Sequence, residues 1–80
     1  MITNNSYAER NKIMQEIVIK DYYGRIQGKI EVKDNGDKTL RDFYGRILGT
    51  YQKSDDTTRD FYYRIVGHGD LLTSLLNTNN

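Results

Sequence analysis

Apolar and polar residues alternate with a period of two through the middle of the chain, which is the pattern of a half-buried β-strand. The clearest segment places four residues on one side, with polar residues between them: Ile26, Gly28, Ile30 and Val32. Two later segments repeat the pattern with Ile47, Gly49 and Tyr51, and with Ile65 and Gly67. We therefore expect strands whose isoleucine and glycine positions face inward. The opposite face should carry Arg25, Arg46 and Arg64.

These segments belong to a nine-residue motif that occurs three times, at residues 20–28, 41–49 and 59–67. Its copies read KDYYGRIQG, RDFYGRILG and RDFYYRIVG. Each copy has a basic residue, Asp, two aromatic residues, Gly or Tyr, Arg, Ile, a variable residue and Gly. Such a repeat in a short chain indicates a fold built from one small unit used repeatedly.

The first half of the motif is typical of a turn. In Asp-x-x-Gly, the Asp side chain caps a type I turn at its first position, and the Gly accepts a positive φ at its fourth. We expect turns at residues 21–24 and 42–45, each closing a β-hairpin. The third copy has Tyr63 in place of this Gly. Because a bulky residue is strained at positive φ, we expect that either this turn differs or the third motif runs straight through a strand.

Further turn signals lie between the motifs, at residues 34–37 and 54–57, at the spacing of a β-meander. The expected fold class is mainly β: an antiparallel meander of about six short strands from three hairpin repeats, with short helices at the N- and C-terminal ends. A capping box at residues 6–9 should begin the first helix, which reaches Gln15 or Glu16. Asp70 can cap the second, whose leucines could cover the track of motif glycines or pair with a copy of themselves.

We therefore expect a single domain, residues 1–80, with three parts. Residues 1–16 form an N-terminal helical arm, residues 17–69 form three β-hairpin repeats, and residues 70–80 form a short C-terminal helix and tail. The chain has 80 residues and no Cys. Because a domain of this size has a thin core and lacks disulfides, we expect self-association, as a dimer.

The net charge of +1 gives no reason to expect affinity for nucleic acid, although the basic residues of the motif outnumber its Asp residues. No apolar run reaches the length of a membrane span, and the N-terminal segment has no signal-peptide pattern. We therefore expect no membrane partner and a cytoplasmic location, in the host cytoplasm if the chain is phage encoded.

No catalytic signature is present. The single His, His68, has no Cys to partner it and no metal-ligand spacing around it. We expect it to be a solvated residue on an edge strand, and we expect no metal site and no cofactor. The motif glycines do not open a helix in a phosphate-binding arrangement, and turn chemistry explains the linker carboxylates. The sequence therefore favours a non-catalytic protein.

The paired aromatic residues of the motif allow two interpretations. As a cross-strand ladder, they would supply the core that a small chain lacks. At turn tips, they would be exposed beside Arg, where they could anchor a protein partner, or stack on bases while Arg grips phosphate. The candidate binding residues on the second interpretation are Arg25, Arg46, Arg64, Tyr23, Tyr44, Tyr62, Phe43 and Phe61.

The short unit D-x-x-G-R-I is similar to the Tyr-Asp-x-x-Gly-Arg hairpin repeat of large bacterial shell-forming toxin proteins. The longer unit D-F-Y-G-R-I-L-G resembles a family of very small repeat proteins from bacteria and their phages, over about residues 17–76. Tyr63 departs from that pattern within the motif itself. The resemblance implies a phage or mobile-element context, and it carries no activity.

Three classes of function follow from these features. The first is an inhibitor that docks on a host protein and blocks it, as anti-CRISPR and other anti-defence proteins do. The second is a nucleotide or oligonucleotide binder that sequesters its ligand. The third is a structural oligomerisation module. We expect the first, because the net charge is near neutral and three regularly spaced aromatic tips offer a broad contact surface.

Overall fold

The computed structural model describes residues 12–77, which form one antiparallel sheet and one short helix. The sheet has six strands in sequential order: β1 (Ile13–Lys20), β2 (Ile26–Lys33), β3 (Lys38–Asp42), β4 (Ile47–Gln52), β5 (Thr57–Asp60) and β6 (Ile65–His68). The helix α1 (Leu72–Asn77) follows. The predicted fold class, an antiparallel meander of six strands from three hairpins with a short C-terminal helix, is confirmed.

The order of the strands places all three motif turns at the same end of the sheet. Each motif turn joins an odd-numbered strand to the next strand, and successive strands of a meander run in opposite directions. The linker turns after β2 and β4 lie at the other end, where Gly36 and Asp56 have φ of 94° and 55°. We call the end that carries the motif turns the motif end.

The core lies on one face of the sheet, beneath α1. Its buried members are Ile30, Leu40 and Leu72, which come from β2, β3 and α1. Partly buried side chains surround them: Ile19, Val32, Leu48, Tyr51, Leu75 and Leu76. This small cluster agrees with the thin core that the chain length predicts.

The helix begins where the sequence indicates, because the Asp70 carboxylate accepts a hydrogen bond from the Leu72 backbone N–H (3.2 Å). The helix and the residue before it cover two of the three motif glycines, Gly49 and Gly67, as one of the two predicted alternatives required. A Cβ atom added at Gly49 would overlap the Leu75 side chain, and one added at Gly67 would lie 2.8 Å from a Leu71 methyl group. The glycines therefore let α1 approach the sheet closely.

Thr58 ties the connection between β6 and α1 to the sheet. Its hydroxyl group donates a hydrogen bond to the Gly69 carbonyl (2.6 Å) and accepts one from the Leu71 N–H (2.9 Å). Thr58 is fully buried, so both backbone groups are satisfied without water. These two hydrogen bonds fix where the chain leaves the sheet and turns back over it.

The motif isoleucines do not face inward, so that prediction is wrong. Ile26, Ile47 and Ile65 are 47%, 39% and 57% exposed. The reason is a β-bulge in each hairpin. Leu40 lies opposite Gly49, but the next residue of β3, Arg41, lies opposite Ile47, so Leu48 is an extra residue.

The bulge moves isoleucine and glycine to opposite faces of the sheet. Ile47 shares the face of Arg41, which α1 does not cover, and Gly49 shares the face of Leu40, which α1 covers. We call the uncovered side the outer face. Equivalent irregularities occur in the first hairpin at Gln27 and in the third at Val66.

A ladder of ion pairs crosses the outer face. The Arg41 Nε atom lies 2.9 Å from a carboxylate oxygen of Glu31, and Lys29 contacts Glu31 at 3.9 Å and Glu16 at 3.3 Å. Glu31 is buried between these cations, which satisfies its charge. The middle of the outer face is therefore polar, and the exposed motif isoleucines lie toward the motif end.

The predicted N-terminal helix is wrong where it can be compared with the structure. It was expected to reach Gln15 or Glu16, but β1 begins at Ile13. The remainder of that prediction, including the capping box at residues 6–9, lies outside the described residues. Pairing with β2 decides the conformation here, because the alternation of Ile17 and Ile19 matches the apolar positions of its neighbour.

Candidate functional site

Each motif turn is organised by its Asp side chain, and the second turn shows the arrangement. The Asp42 carbonyl accepts a hydrogen bond from the Gly45 N–H (3.0 Å), which closes the turn. One carboxylate oxygen of Asp42 accepts from the N–H groups of Tyr44 (2.8 Å) and Arg46 (2.9 Å). The other accepts from the Arg46 Nε–H (2.8 Å). A short acceptor side chain at the first turn position is needed for this geometry, which explains Asp in the motif.

The first turn repeats the arrangement, with Asp21 accepting from Tyr23 N–H, Arg25 N–H and Arg25 Nε–H, all at 2.9 Å. Gly24 and Gly45 have φ of 83° and 87°. The left-handed residue that the sequence predicts at the fourth position is therefore present in both turns.

The third turn has the same hydrogen bonds although Tyr63 replaces glycine. Asp60 accepts from Tyr62 N–H (2.9 Å), Arg64 N–H (2.9 Å) and Arg64 Nε–H (3.0 Å). Tyr63 has a φ of 67°, so it takes the strained conformation. Both alternatives that the sequence suggested for this turn are therefore wrong.

Side-chain contacts on the outer face offset the strain at Tyr63. The Tyr63 hydroxyl group accepts a hydrogen bond from Gln52 Nε2 (2.5 Å), and the Arg59 guanidinium lies 4.5 Å from the centre of the Tyr63 ring. A cation held over an aromatic face is attracted by the ring quadrupole. Tyr63 thus has a strained backbone conformation, but its side chain gains contacts with residues of β4 and β5.

The two aromatic rings at each turn tip form a preorganised pair. The rings of Tyr22 and Tyr23 pack edge to face with centroids 5.3 Å apart, and the other two tips repeat this distance with Phe43–Tyr44 and Phe61–Tyr62. In each pair the second ring carries the motif Arg over its face. The distances from guanidinium carbon to ring centre are 5.3, 5.4 and 5.0 Å.

All six tip rings are exposed, so the interpretation of these residues as a core ladder is wrong and the turn-tip interpretation holds. The reason is their position. The two central residues of a turn project beyond the last paired residues of the hairpin, where no neighbouring strand can cover them. Because adjacent strands lie about 4.8 Å apart, equivalent atoms of successive hairpins are about 10 Å apart. We call this line of three ring pairs the aromatic row.

Grooves lie between neighbouring tips. The groove between the first and second hairpins is lined by Ile26, Gln27 and Phe43. The groove between the second and third is lined by the equivalent residues Ile47, Leu48 and Phe61, together with Leu76 of α1. Each groove thus combines the isoleucine and bulge residue of one hairpin with the first aromatic residue of the next.

The motif arginines share one side of the sheet, as the sequence predicts, but the prediction that this side lies opposite the motif glycines is wrong, because the bulge reverses the alternation between them. Each binds the Asp of its own turn, and these Asp residues lie on the helix-covered face, because Asp42 pairs with Gly28 and Asp60 with Gly49. The side chains of Arg25, Arg46 and Arg64 are 72%, 74% and 73% exposed. The arginines therefore border the aromatic row without being available as unpaired charges.

The electrostatics of the turns follow from these hydrogen bonds. The pKa of Asp21 is lowered, chiefly by the backbone N–H of Arg25, and that of Asp60 chiefly by the backbone N–H of Arg64. At Asp42, desolvation is the largest effect and raises the pKa, but the hydrogen bonds from Arg46 and Tyr44 together outweigh it and the pKa is lowered. Each turn therefore holds a charged carboxylate against a charged guanidinium.

The sequence identified the tip aromatics and the motif arginines, which the structure brings together at the motif end. It missed the exposed Ile26, Ile47 and Ile65, because simple alternation assigns them to the core. A bulge interrupts the alternation of side chains between the two faces, and only the pairing between strands shows where the bulge lies. His68 lies exposed on the edge strand β6, as expected. Within residues 12–77, no group of three acidic, His or Cys residues could hold a metal ion.

No protein-family model, no curated protein and no solved structure matches this chain. Among the described residues, no helix has both the length and the apolar character needed to cross a membrane.

Proposed function

We propose that this protein is a non-catalytic binding protein that docks the aromatic row on a host protein and blocks it. The observation that supports the proposal is the exposure of six aromatic rings in three similarly arranged pairs at one end of the sheet. Tyr and Arg side chains dominate the energetics of protein interfaces, and here they occur together at each tip. Large exposed apolar groups that are grouped in this way are typical of interaction sites.

The rings are held in place before a partner arrives. In the second turn, the Tyr44 N–H is bound to Asp42, and the Tyr44 ring lies between Phe43 and the Arg46 guanidinium. Side chains that are already ordered lose little conformational entropy on binding. The same contacts recur in the other two turns, so three rigid anchors about 10 Å apart would meet the partner together.

The ion pairs favour a protein partner over a nucleotide. Each motif guanidinium donates its Nε–H to a carboxylate, so its charge is already balanced and a phosphate that approached its terminal N–H groups would be repelled by that carboxylate. A protein surface can instead cover the neutral Asp–Arg pair and pack against the rings. The net charge of +1 supports the same choice.

The setting of this function rests on the resemblance of the motif to small repeat proteins of bacteria and phages. A phage or mobile-element protein of this size would act in the host cytoplasm by occupying the surface of a larger host factor. Blocking needs no catalytic group, because a bound protein excludes other ligands by its volume.

The proposal is tested by a pull-down from the native host with the immobilised protein as bait, read by mass spectrometry. Tyr44→Ala removes a central ring that makes no contribution to the core, so the fold should persist while capture of the host protein is lost. Tyr44→Phe keeps the ring and should retain capture. Ser54→Ala, at the opposite end of the sheet, is the matched control and should bind normally.

Affinity measurements on the captured protein sharpen the test. Removal of a central anchor should weaken binding by about tenfold or more. A host protein whose affinity is the same for Tyr44→Ala, Tyr62→Ala and the unaltered chain would show that the aromatic row is not the docking surface.

Nucleotide binding is the alternative that the same experiments separate. It requires a rise in melting temperature with cyclic or adenine nucleotides, and loss of that rise in Arg46→Ala. A flat response across such a panel, together with ring-dependent capture of a host protein, supports the protein-binding function.

A further inference from the structure

The three hairpins meet at two internal junctions that share one register. At the junction of β2 with β3, the motif glycine of the first hairpin lies opposite the motif Asp of the second (Gly28 and Asp42). At the junction of β4 with β5, the same pair recurs as Gly49 and Asp60. Neighbouring hairpins therefore pair in the same register at both junctions.

The glycine is required at each internal junction by the backbone of the next hairpin. A Cβ atom at Gly28 would overlap the Arg41 carbonyl oxygen, and one at Gly49 would lie 2.6 Å from the Arg59 carbonyl oxygen. At Gly67, the third motif glycine, the only close atom is a Leu71 methyl group at 2.8 Å, at the end of a flexible side chain. Within residues 12–77, Gly67 thus faces no neighbouring backbone that would demand glycine.

At both ends of the sheet, side chains that pack across an internal junction lack their packing partner from a neighbouring hairpin in the part of the chain that the structure describes. The first aromatic residue of the second and third hairpins is 63% and 66% exposed, whereas Tyr22 of the first hairpin is 94% exposed. Ile26 and Ile47 are 47% and 39% exposed, whereas Ile65 of the last hairpin is 57% exposed. The first hairpin offers an aromatic residue with no preceding isoleucine, and the last offers an isoleucine with no following aromatic residue.

The strand directions allow these two ends to join. Strands β1 and β6 each have one edge with no partner strand among the described residues. In the meander β1 runs opposite to β6, just as β3 runs opposite to β2. A second copy placed beside β6 would therefore continue the sheet in the same sense, with antiparallel pairing.

We propose that the protein assembles head to tail, with β6 of one copy pairing with β1 of the next in the internal register. Gly67 then lies opposite Asp21 of the second copy, and His68 lies opposite Lys20. Tyr22 of the second copy packs on Ile65 and Val66 and completes a third groove, so the aromatic row continues across the junction. Because the joined surfaces differ, the assembly grows into a ring or a filament.

This inference does not depend on the partner of the aromatic row, because it rests on the edges of the sheet. The variant that tests it is Gly67→Ala. In the isolated chain the new methyl group meets only the movable end of Leu71, so the melting temperature should change little. In the assembly the methyl group would strike the Lys20 backbone of the next copy, so association should weaken at least tenfold.

The measurement is the mass of the protein by light scattering and sedimentation over a concentration series. Growth beyond a dimer that Gly67→Ala suppresses, with host-protein capture retained, supports the inference. A monomer at all concentrations, a species that stops at a dimer, or association that Gly67→Ala leaves unchanged would overturn it. Loss of host-protein capture in Tyr44→Ala with normal assembly would support the proposed function and would leave the inference about assembly unchanged.

Cysteine pairing tests the register directly, because the natural chain has no Cys. Residues that lie directly opposite in an antiparallel pair have Cα atoms about 5 Å apart, within reach of a disulfide. A mixture of His68→Cys and Lys20→Cys chains, oxidised with diamide, should give a mixed disulfide that neither variant gives alone. A disulfide formed as readily by Lys20→Cys alone would indicate symmetric pairing of β1 with β1 and would contradict the head-to-tail register.

Discussion

At the scale of single residues, one carboxylate organises each motif turn. The motif Asp accepts two backbone N–H groups and one guanidinium N–H, and in doing so it fixes the backbone on which the two aromatic rings stand. The exception is the fourth turn position, where Tyr63 adopts a φ of 67° that its two counterparts adopt as glycine. The hydrogen bonds of the turn, and the contacts of the Tyr63 ring, hold this residue in a conformation that it would otherwise avoid.

The strain at Tyr63 can be isolated by comparing two substitutions. Tyr63→Ala and Tyr63→Gly both remove the ring contacts, but only glycine relieves the backbone. We expect Tyr63→Gly to be more stable than Tyr63→Ala by about 1 kcal/mol, measured by urea unfolding. Gly45→Ala is the matched control, because nothing lies within 4 Å of the added Cβ atom. It should cost about 1 kcal/mol as well. Equal stability of the two Tyr63 variants would show that the turn carries no strain.

At the scale of elements, the unit of this fold is a hairpin with a turn at its tip and a bulge one residue beyond the motif isoleucine. The bulge decides which side chains reach the core. It sends Leu48 to the cluster beneath α1, and it leaves Ile47 on the outer face beside the next tip. The position of the short helix also depends on few contacts. The buried Thr58 hydroxyl group forms hydrogen bonds with both ends of the connection between β6 and α1.

Two threonines whose hydroxyl groups are both buried predict opposite effects of the same substitution. Thr58→Val removes two hydrogen bonds and leaves the Gly69 carbonyl and the Leu71 N–H unsatisfied, so we expect a loss of about 2 kcal/mol of unfolding free energy. The Thr50 hydroxyl is buried and has no hydrogen-bond partner among the described residues. Thr50→Val should therefore be neutral or stabilising. Urea unfolding of both variants checks the pair, and a Thr58→Val protein as stable as the unaltered chain would contradict the account of the connection.

At the scale of the whole molecule, the three turns act alike, so their effects on stability should appear together. The carboxylates of Asp21, Asp42 and Asp60 have pKa values lowered below the ordinary value of 3.8. The pKa of Asp55 is lowered too, chiefly by the hydrogen bond from the Thr57 hydroxyl. A carboxyl group with a lower pKa in the folded state stabilises the fold above its unfolded pKa, and this stabilisation is lost as the pH falls through the folded value.

We therefore expect the melting temperature to be nearly constant from about pH 7 to pH 5 and to fall below about pH 4. Thermal unfolding across this range, followed by circular dichroism, checks the prediction. Asp42→Asn keeps an acceptor for the backbone N–H groups but loses the ion pair with Arg46. It should melt lower at neutral pH and should show a smaller fall in acid. A melting temperature that rises as the pH drops below 4 would reverse the sign and contradict the role of these carboxylates.

Much of the fold was predictable because turns are local. An Asp and a Gly three residues apart form hydrogen bonds within the turn itself, so the turns of residues 21–24 and 42–45 do not depend on contacts with distant parts of the chain. The position of the aromatic residues at the tips follows from the same turns. The third turn was less predictable, because the contacts that compensate Tyr63 come from Gln52 and Arg59 on two neighbouring strands.

The sequence by itself determined the repeated unit, the six-stranded meander and the clustering of aromatic rings with arginine, because each depends on residues close together in the chain. Only the tertiary structure decided which face is buried. The bulges at Gln27, Leu48 and Val66 are set by pairing between strands. The extra residue places the motif isoleucine before it on the face opposite to the one that strict alternation assigns. The motif isoleucines are therefore exposed beside the tips, since strand pairing and the position of α1, rather than their own hydrophobicity, fix where they lie.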